Sequence, residues 1–187
     1  MTHPSLECTE AIFATMGEQS INSAEFFIQR LLYLIFHYIQ ARNGDEKIFL
    51  YNQKEIAVQC FNLLGTLLSN IGKQGKEFIN EDDYMKIFLE CVKDQELSIR
   101  KETLASGGEI AKYCPEVLQG KVNQIVQYYM DNLMVVSQAN DPEGYLEACC
   151  NNSVWAVGDL GLAYPNEFGE FAPHFVNRIV EILVDEN

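Results

Sequence analysis

The stretch from Glu143 to Tyr164, EGYLEACCNNSVWAVGDLGLAY, contains the side chains best suited to recognising a ligand. It carries the only tryptophan of the chain, Trp155, and a carboxylate four residues later, Asp159. An aromatic ring can stack on an apolar group, and a carboxylate one helical turn away can attract a basic one. The same residue types also suit a structural role, in which Trp155 fills the core and the neighbouring asparagines cap or bridge backbone groups. Spacing alone leaves both interpretations open.

Steps of three and four residues place several of these side chains on one face of an α-helix. The positions that share this face are Ala148, Asn152, Trp155, Asp159 and Leu162. Ala156, Val157 and Leu160 point in another direction and are predicted to lie in the core.

Other residues with reactive side chains do not form a recognisable catalytic or metal-binding pattern. His3, His37 and His174 are far apart on different predicted elements, so a metal cluster or a histidine-based triad has no support. Cys149 and Cys150 have no nearby histidine or basic residue that would activate a thiolate, and are expected to pack in the core. The sequence therefore predicts a protein that is not an enzyme and that uses no cofactor or metal.

The composition restricts the classes of partner. The 187 residues carry a formal net charge of -14, which would repel both a nucleic-acid backbone and an anionic membrane surface. The six cysteines form no CxxC pair and no disulfide framework typical of secreted domains. There is no signal-like N-terminal segment and no apolar run long enough to span a bilayer. We therefore expect an intracellular, reducing environment and a basic or neutral partner.

Helical periodicity runs through almost every long segment, and strand-like alternation is absent. The predicted helices cover residues 4–18, 23–42, 53–72, 80–93, 98–114, 117–138, 143–164 and 171–184. Ser23 is the expected N-cap of the second helix, and Pro115 and Pro165 are expected to end the helices before them. The stretches 43–52 and 140–142 are predicted loops.

Three glycines suggest that these helices repeat. Gly65, Gly108 and Gly158 occur in similar contexts (LLGTL, SGGEI and AVGDL) at intervals of 43 and 50 residues. This period is typical of HEAT repeats, two-helix units that stack into an α-α superhelix. A glycine within a helix costs about 1 kcal/mol relative to alanine, and a close approach of stacked helices is the usual compensation. The predicted fold is therefore all-α, a HEAT-repeat solenoid of antiparallel helix pairs.

The turn KDQELSIRKE supports the assignment, since HEAT repeats commonly carry an acid and an arginine there, represented by Asp94 and Arg100. Other turns offer only Lys54 or Glu147 near the arginine position. Of the ladder of ion pairs that can connect stacked repeats, we therefore expect only one pair, or rung.

With the outer helix of each pair named A and the inner helix B, residues 1–187 form one segment of about four repeats. It comprises a lone B helix (4–18), A/B pairs 23–72, 80–114 and 117–164, and a lone A helix (171–184). Phe175, Val176, Ile179, Ile182 and Leu183 would then lack a packing partner, which suggests a fragment of a longer chain.

The segment DPEGYLEACCNNSVWAVGDLG resembles the C-terminal arch of transportins, the karyopherin-β2 receptors of the importin-β superfamily. The transportin pattern is Cys-Asn-Asn, then Trp, then Gly and an acid. Its matches here are Cys150, Asn151, Asn152, Trp155, Gly158 and Asp159. The upstream segments SIRKETLASGGEIAKYC, EIAVQCFNLLGTLLSNIG and PSLECTEAIFATMGE are similar to the preceding helices of the family in the same order. The resemblance thus covers nearly the whole chain.

The resemblance implies a nuclear import receptor that holds signals ending in a Pro-Tyr dipeptide, preceded by basic and apolar residues. The signal would lie extended on the concave, B-helix face. By the same resemblance, Trp155 would pack against the Pro-Tyr end or the segment just before it. Asn151 and Asn152 would hydrogen-bond to the peptide backbone, and Asp159 would attract a basic side chain.

Four further positions of the implied groove follow from the resemblance. Glu109 stands where the family has an aspartate, and Val58 where it has an isoleucine that touches the signal. Asn62 and Ser69 depart from the pattern, because they stand where the family carries acids. Each exposed charge pair lost in this way would weaken the preference for a basic signal by about 1 kcal/mol.

The partners implied are cargo proteins with nuclear localisation signals, and the small GTPase Ran through an N-terminal region outside this sequence. Neither nucleic acid nor membrane is expected, and the location would be the cytoplasm and nucleus of a shuttling receptor. Two alternatives stay open: a general HEAT scaffold for protein complexes with Trp155 buried, and another importin-β relative with other cargo. Exposure of Trp155 together with Asp159 on the inner face would favour signal binding.

Overall fold

The structure, a computed structural model, describes residues 3–44, 53–133 and 143–185, and in these ranges it contains helices and turns but no β-strand. The α-helices are α1 (His3–Met16), α2 (Ile21–Arg42), α3 (Gln53–Ile71), α4 (Glu81–Cys91), α5 (Leu97–Tyr113), α6 (Val122–Asp131), α7 (Tyr145–Ala163), α8 (Pro165–Phe168) and α9 (Ala172–Asp185). Short 3-10 helices cover Gly17–Ser20, Gly72–Glu77 and Pro115–Leu118.

The helices form two layers of the kind expected for HEAT repeats. In the inner layer, α1, α3, α5 and α7 pack against one another in succession. In the outer layer, α2 packs on α3 and on α4, and α6 packs on α7. The core lies between the layers, where Phe61, Tyr84, Phe88 and Tyr129 are almost fully buried. These contacts confirm the predicted all-α, HEAT-like arrangement of antiparallel helix pairs.

Local sequence signals explain where several helices begin. The Asn80 side chain caps α4 by accepting a hydrogen bond from the Asp83 backbone N–H at 3.0 Å, and acidic residues fill the first turn of that helix. The predicted cap at Ser23 is wrong, because α2 already begins at Ile21 and Ser23 lies inside its first turn. Gly17, at φ +53°, turns the chain out of α1 and into the 3-10 helix that leads directly to α2.

The predicted helix 117–138 is also partly wrong. Residues 115–118 form a 3-10 helix, and Gly120 at φ +72° reverses the chain before α6 starts at Val122. The left-handed backbone that Gly120 adopts is strained for other residues, so its presence favours a turn over a continuous helix. Residues 134–138 lie outside the described residues, as do most of the predicted loop 43–52 and all of the loop 140–142. Pro165 does end α7, but it also opens the unpredicted short helix α8.

The repeated glycines have different surroundings. A Cβ atom at Gly108 would lie 2.8 Å from Cζ3 of Trp155, so α5 and α7 approach closely at this point. At Gly65 a Cβ would meet Cγ of Glu109 at 3.6 Å, an ordinary contact between α3 and α5. At Gly158 a Cβ would meet none of the described atoms within 4 Å. The expectation of close helix approach is therefore confirmed at Gly108 and wrong at Gly158.

The predicted ion-pair rung is present, but its arginine is Arg42 rather than Arg100. Nη1 of Arg42, at the end of α2, lies 2.5 Å from Oδ2 of the buried Asp94. The Tyr38 hydroxyl donates to the same oxygen at 3.0 Å. Arg100 instead donates two hydrogen bonds to the backbone carbonyl of Asp94, at 3.1 and 2.7 Å. The two arginines thus approach the turn from different helices, and only the one on the preceding repeat reaches the carboxylate.

The last helix is amphipathic, and its apolar side is divided between core and surface. Ile182, predicted to lack a partner, is instead buried in a small cluster with Leu133 and Cys150. The exposed apolar residues of α9 are Val176, Val180, Leu183 and Val184. Val176 and Leu183 belong to the five residues predicted to be exposed, whereas Val180 and Val184 were not predicted.

Candidate functional site

Trp155 lies on the surface of the inner layer rather than in the core. Its side chain is 38% exposed, and its ring rests against α5 where Gly108 leaves room for it. The predicted core residues of the same helix, Ala156, Val157 and Leu160, are fully buried on the opposite side. The core prediction for these three residues is therefore confirmed, and the structure decides the exposure of Trp155 that spacing alone left open.

Two carboxylates lie near Trp155 in the sequence of the two packed helices. Glu109 follows Gly108 on α5, and Asp159 lies one turn after Trp155 on α7. Oε2 of Glu109 and Oδ2 of Asp159 are buried, and neither accepts a hydrogen bond from the residues that the structure describes. A buried polar atom without a partner is unfavourable by roughly 1–3 kcal/mol, so each carboxylate would be stabilised if its side chain turned to accept a donor from a ligand.

The electrostatic surroundings reflect this burial. Loss of solvation raises the pKa of Glu109, and the negative charge of Asp159 raises it further. Loss of solvation also raises the pKa of Asp159. The positive charge of Lys112 opposes both shifts. A cation near either carboxylate would therefore oppose these shifts and favour its ionised form.

Lys112 is a member of this cluster that the sequence reading missed. Its Nζ lies 6.0 Å from the centroid of the Trp155 ring and 4.9 Å from that of Tyr113. No carboxylate among the described residues lies within 4.0 Å of it. The signal that could have found it is its position three residues after Glu109, on the same face of one helix.

The next inner helix, α3, presents a row of small and polar residues beside this cluster. Val58, Asn62, Gly65 and Ser69 recur at steps of four, three and four, which spreads them over about 16 Å of one helix face. Asn62 and Ser69 line a cavity of about 270 Å³ between α3 and α5, and Glu109 lines it too. Ser69 uses its hydroxyl within α3, where it donates to the Thr66 carbonyl at 2.9 Å.

Two further acids line the same cavity. Glu10 reaches it from α1 and Glu102 from α5, so the cavity keeps negative charge although Asn62 and Ser69 are neutral. Glu102 is almost fully buried and pairs with Nζ of Lys101 at 2.5 Å. Neither acid was singled out from the sequence. The helical spacing of Glu102 and Glu109, seven residues apart, could have indicated that they share a face.

Val58 lies apart from the tryptophan. It is half-buried and lines a separate cavity of about 530 Å³ at the start of α3 and α5, together with Glu55, Glu143 and Tyr145. The structure thus groups Glu109, Trp155 and Asp159, sets Asn62 and Ser69 beside them, and leaves Val58 at a second position along the same layer.

The asparagine pair has two different environments. Nδ2 of Asn152 donates to the backbone carbonyl of Lys101 at 3.0 Å, so this side chain bridges α7 to α5. Asn151 is exposed and lies one turn before Trp155. The amide of Asn151 is thus fully available at the surface, whereas that of Asn152 already has one internal contact.

Three further features concern metal binding, membrane crossing and the cysteines. Among the described residues, no group of three or more His, Cys, Asp or Glu side chains is arranged to hold a metal ion. Within those same ranges, no helix combines the length and apolar character needed to cross a membrane. Five of the six cysteines are buried, including the predicted core residues Cys149 and Cys150.

The sequence is similar to those of several known transportins and importins. The chain is 26% identical over 182 residues to "Transportin-1" of Oryza sativa subsp. japonica, an alignment that covers 96% of this chain and 20% of that protein. It is 25% identical over 182 residues to "Transportin" of Dictyostelium discoideum, which covers 95% of this chain and 19% of that protein. It is 20% identical over 163 residues to "Importin subunit beta-2" of Saccharomyces cerevisiae (strain ATCC 204508 / S288c), which covers 83% of this chain and 17% of that protein. No protein-family model matches the sequence.

These similarities confirm the resemblance to transportins over nearly the whole chain. The chain spans about a fifth of the length of the curated relatives it matches. The relatives bear the names of transport proteins rather than of enzymes, in agreement with the expectation that the chain has no catalytic activity.

Proposed function

We propose that this chain is a segment of a nuclear import receptor that binds an extended basic, Pro-Tyr-type signal across the exposed face of its inner layer. The observation that carries the proposal is the exposed Trp155 ring on helices that also carry two carboxylates within electrostatic reach of each other, Glu109 and Asp159, each with a buried oxygen that accepts no hydrogen bond from the described residues. The similarity to transportins over almost the whole chain supports the class of function.

A disordered peptide that becomes ordered on a rigid surface loses conformational entropy, so it needs a few strong anchors. Trp155 offers an aromatic platform against which a proline or tyrosine ring can stack. Glu109 and Asp159 offer acceptors for a basic side chain, and charge-assisted hydrogen bonds are stronger than neutral ones. Asn151 and Asn152 would hydrogen-bond to the peptide backbone, with Asn152 using its amide oxygen because its nitrogen already donates to α5.

Further along the inner layer, Val58 would contact an apolar residue of the signal, and Asn62 and Ser69 would contact its polar groups. The neutral side chains at Asn62 and Ser69 should reduce the preference for a basic residue there. Glu10 at the same cavity keeps part of that preference, whereas the charge of Glu102 is already paired with Lys101. The net charge of -14 favours encounter with basic cargo at long range.

The location and the partners of a full-length receptor follow from the same proposal. A full-length receptor of this kind would shuttle between cytoplasm and nucleus and carry cargo proteins with nuclear localisation signals. Ran would bind a region outside this sequence.

The test is a titration of the protein with a synthetic basic Pro-Tyr peptide, followed through the emission of its single tryptophan. A peptide with Ala-Ala in place of Pro-Tyr is the control ligand. Calorimetry on Trp155→Ala should show at least about tenfold weaker binding, the effect typical of a central anchor. Leu162→Ala is the matched protein control, because Leu162 is 83% exposed on the same helix and should change affinity by less than about twofold.

Saturable binding that needs both Pro-Tyr and Trp155 would support the proposal. Equal binding of the two peptides, or equal affinity of the Trp155→Ala and Leu162→Ala variants, would refute signal recognition at this site. An emission maximum typical of a buried indole that no peptide changes would favour a general HEAT scaffold instead.

A further inference from the structure

Lys112 brings a positive charge of the protein itself to the proposed binding surface. It lies in the last turn of α5, three residues after Glu109, and its Nζ is 6.0 Å from the centre of the Trp155 ring. That distance is at the outer limit of about 6 Å at which a cation is attracted to the face of an aromatic ring. The ammonium group therefore stands next to the ring that a ligand would have to cover.

The same ammonium group is within electrostatic reach of both carboxylates. Its charge favours the ionised forms of Glu109 and Asp159. A hydrogen bond to the Tyr113 hydroxyl, and more weakly the charges of Glu109 and Asp159, raise the pKa of Lys112 itself. Yet it forms no ion pair within 4.0 Å with either of them, and its side chain is exposed. An exposed cation that is held by no ion pair can be displaced by another cation that binds the carboxylates with better geometry.

We infer that Lys112 is the protein's own occupant of a cation subsite formed by Trp155, Glu109 and Asp159, and that it competes with a basic side chain of the bound peptide. This inference rests on the proposed function. A lysine or arginine of the signal must displace Lys112 to reach the two carboxylates. Lys112 therefore lowers the preference for a basic residue at this one position, while stacking of neutral rings on Trp155 is unaffected.

Neutralising Lys112 provides the test. Lys112→Gln removes the competing charge, and Lys73→Gln is the matched control because Lys73 is an exposed lysine of the 3-10 helix Gly72–Glu77. Both variants change the net charge equally, so long-range attraction of a basic peptide rises equally in both. The peptide is the basic Pro-Tyr signal, alongside a version with glutamine in place of its basic residues.

Lys112→Gln should bind the basic peptide about 3- to 5-fold more tightly than Lys73→Gln, the range expected for one charge interaction near a surface. The neutral peptide should bind both variants equally. An equal affinity of the two variants for the basic peptide would overturn the inference, although wild-type binding would leave the proposed function intact. Absence of peptide binding to wild type and to both variants would refute the proposed function and the competition together.

A second measurement needs no peptide. Caesium and iodide ions quench tryptophan emission, and the local charge decides which of them approaches the single indole more readily. Lys112→Gln should increase quenching by caesium and decrease quenching by iodide, relative to Lys73→Gln. Identical quenching of the two variants would show that Lys112 does not occupy the subsite, whatever the peptides do.

Discussion

Replacing Gly108 with alanine tests whether the position of Trp155 depends on the close approach of α5 and α7. The added Cβ would lie 2.8 Å from Cζ3 and 3.0 Å from Cε3 of Trp155, and 3.2 Å from Cβ of Ala156. These distances are shorter than normal van der Waals contacts, so either the ring or the helix must move. Because the ring is 38% exposed, we expect it to swing outward while the helices stay nearly in place.

The magnitude follows from two opposing effects. Alanine is favoured over glycine inside a helix by about 1 kcal/mol. Steric overlap in a well-packed contact is unfavourable by about 1–3 kcal/mol. Gly108→Ala should therefore lower the free energy of unfolding by between zero and about 2 kcal/mol. The control is Gly158→Ala, where the new Cβ would meet no described atom within 4 Å, and which should raise the free energy of unfolding by up to about 1 kcal/mol.

The assay is urea denaturation followed by circular dichroism, together with the tryptophan emission of each native variant. Gly108→Ala should shift the emission to longer wavelength, since the displaced ring meets more water, and Gly158→Ala should leave it unchanged. If Gly108→Ala stabilised the protein as much as Gly158→Ala and left the emission unchanged, the reasoning about this contact would be refuted.

Two other outcomes follow from the charged groups. Arg42→Met should lower the free energy of unfolding by about 3–5 kcal/mol in a urea titration, because it leaves the buried carboxylate of Asp94 without a cationic partner. Arg100→Met removes hydrogen bonds to a backbone carbonyl and should lower it by only about 1–2 kcal/mol. Equal losses in the two variants would contradict the assignment of the Asp94 ion pair to Arg42. Burial raises the pKa of Glu109 and Asp159 in the folded state, so the native protein holds their protons more tightly and stability falls as the pH rises from about 4 through the raised pKa values. Glu109→Gln and Asp159→Asn should each flatten that decline in thermal unfolding curves, and an unchanged pH profile would show that these carboxylates are not desolvated.

Much of the fold could be predicted because helix formation depends on local patterns. The apolar spacing of α7 separated the buried Ala156, Val157 and Leu160 from the exposed Trp155. The acids after Asn80 marked the start of α4, whose cap is formed by residues three apart. Errors occurred where a local signal had two meanings, as at Gly120, which was read as part of a helix but occupies a turn at φ +72°.

The contacts between helices could not be obtained in the same way. The turn pattern indicated that Asp94 would meet an arginine, but Arg42 and Arg100 are equally plausible until the position of α2 is known. Gly108 and Gly158 have similar neighbours in sequence, yet only Gly108 faces another helix at short range. A side chain's partner across an interface depends on helix rotation and spacing, which small differences in packing decide.

By itself, the sequence determined most of the helices, the HEAT-like class of the fold and the buried residues of α7, because periodicity and capping act over a few residues. The tertiary structure alone decided that Lys112 of α5 lies 6.0 Å from the centroid of the Trp155 ring, and that Glu109 of α5 is within electrostatic reach of Asp159 of α7. It also decided that two buried carboxylate oxygens there accept no hydrogen bond from the described part of the chain. Burial and charge interactions depend on distances between helices, and those distances exist only after the layers have packed.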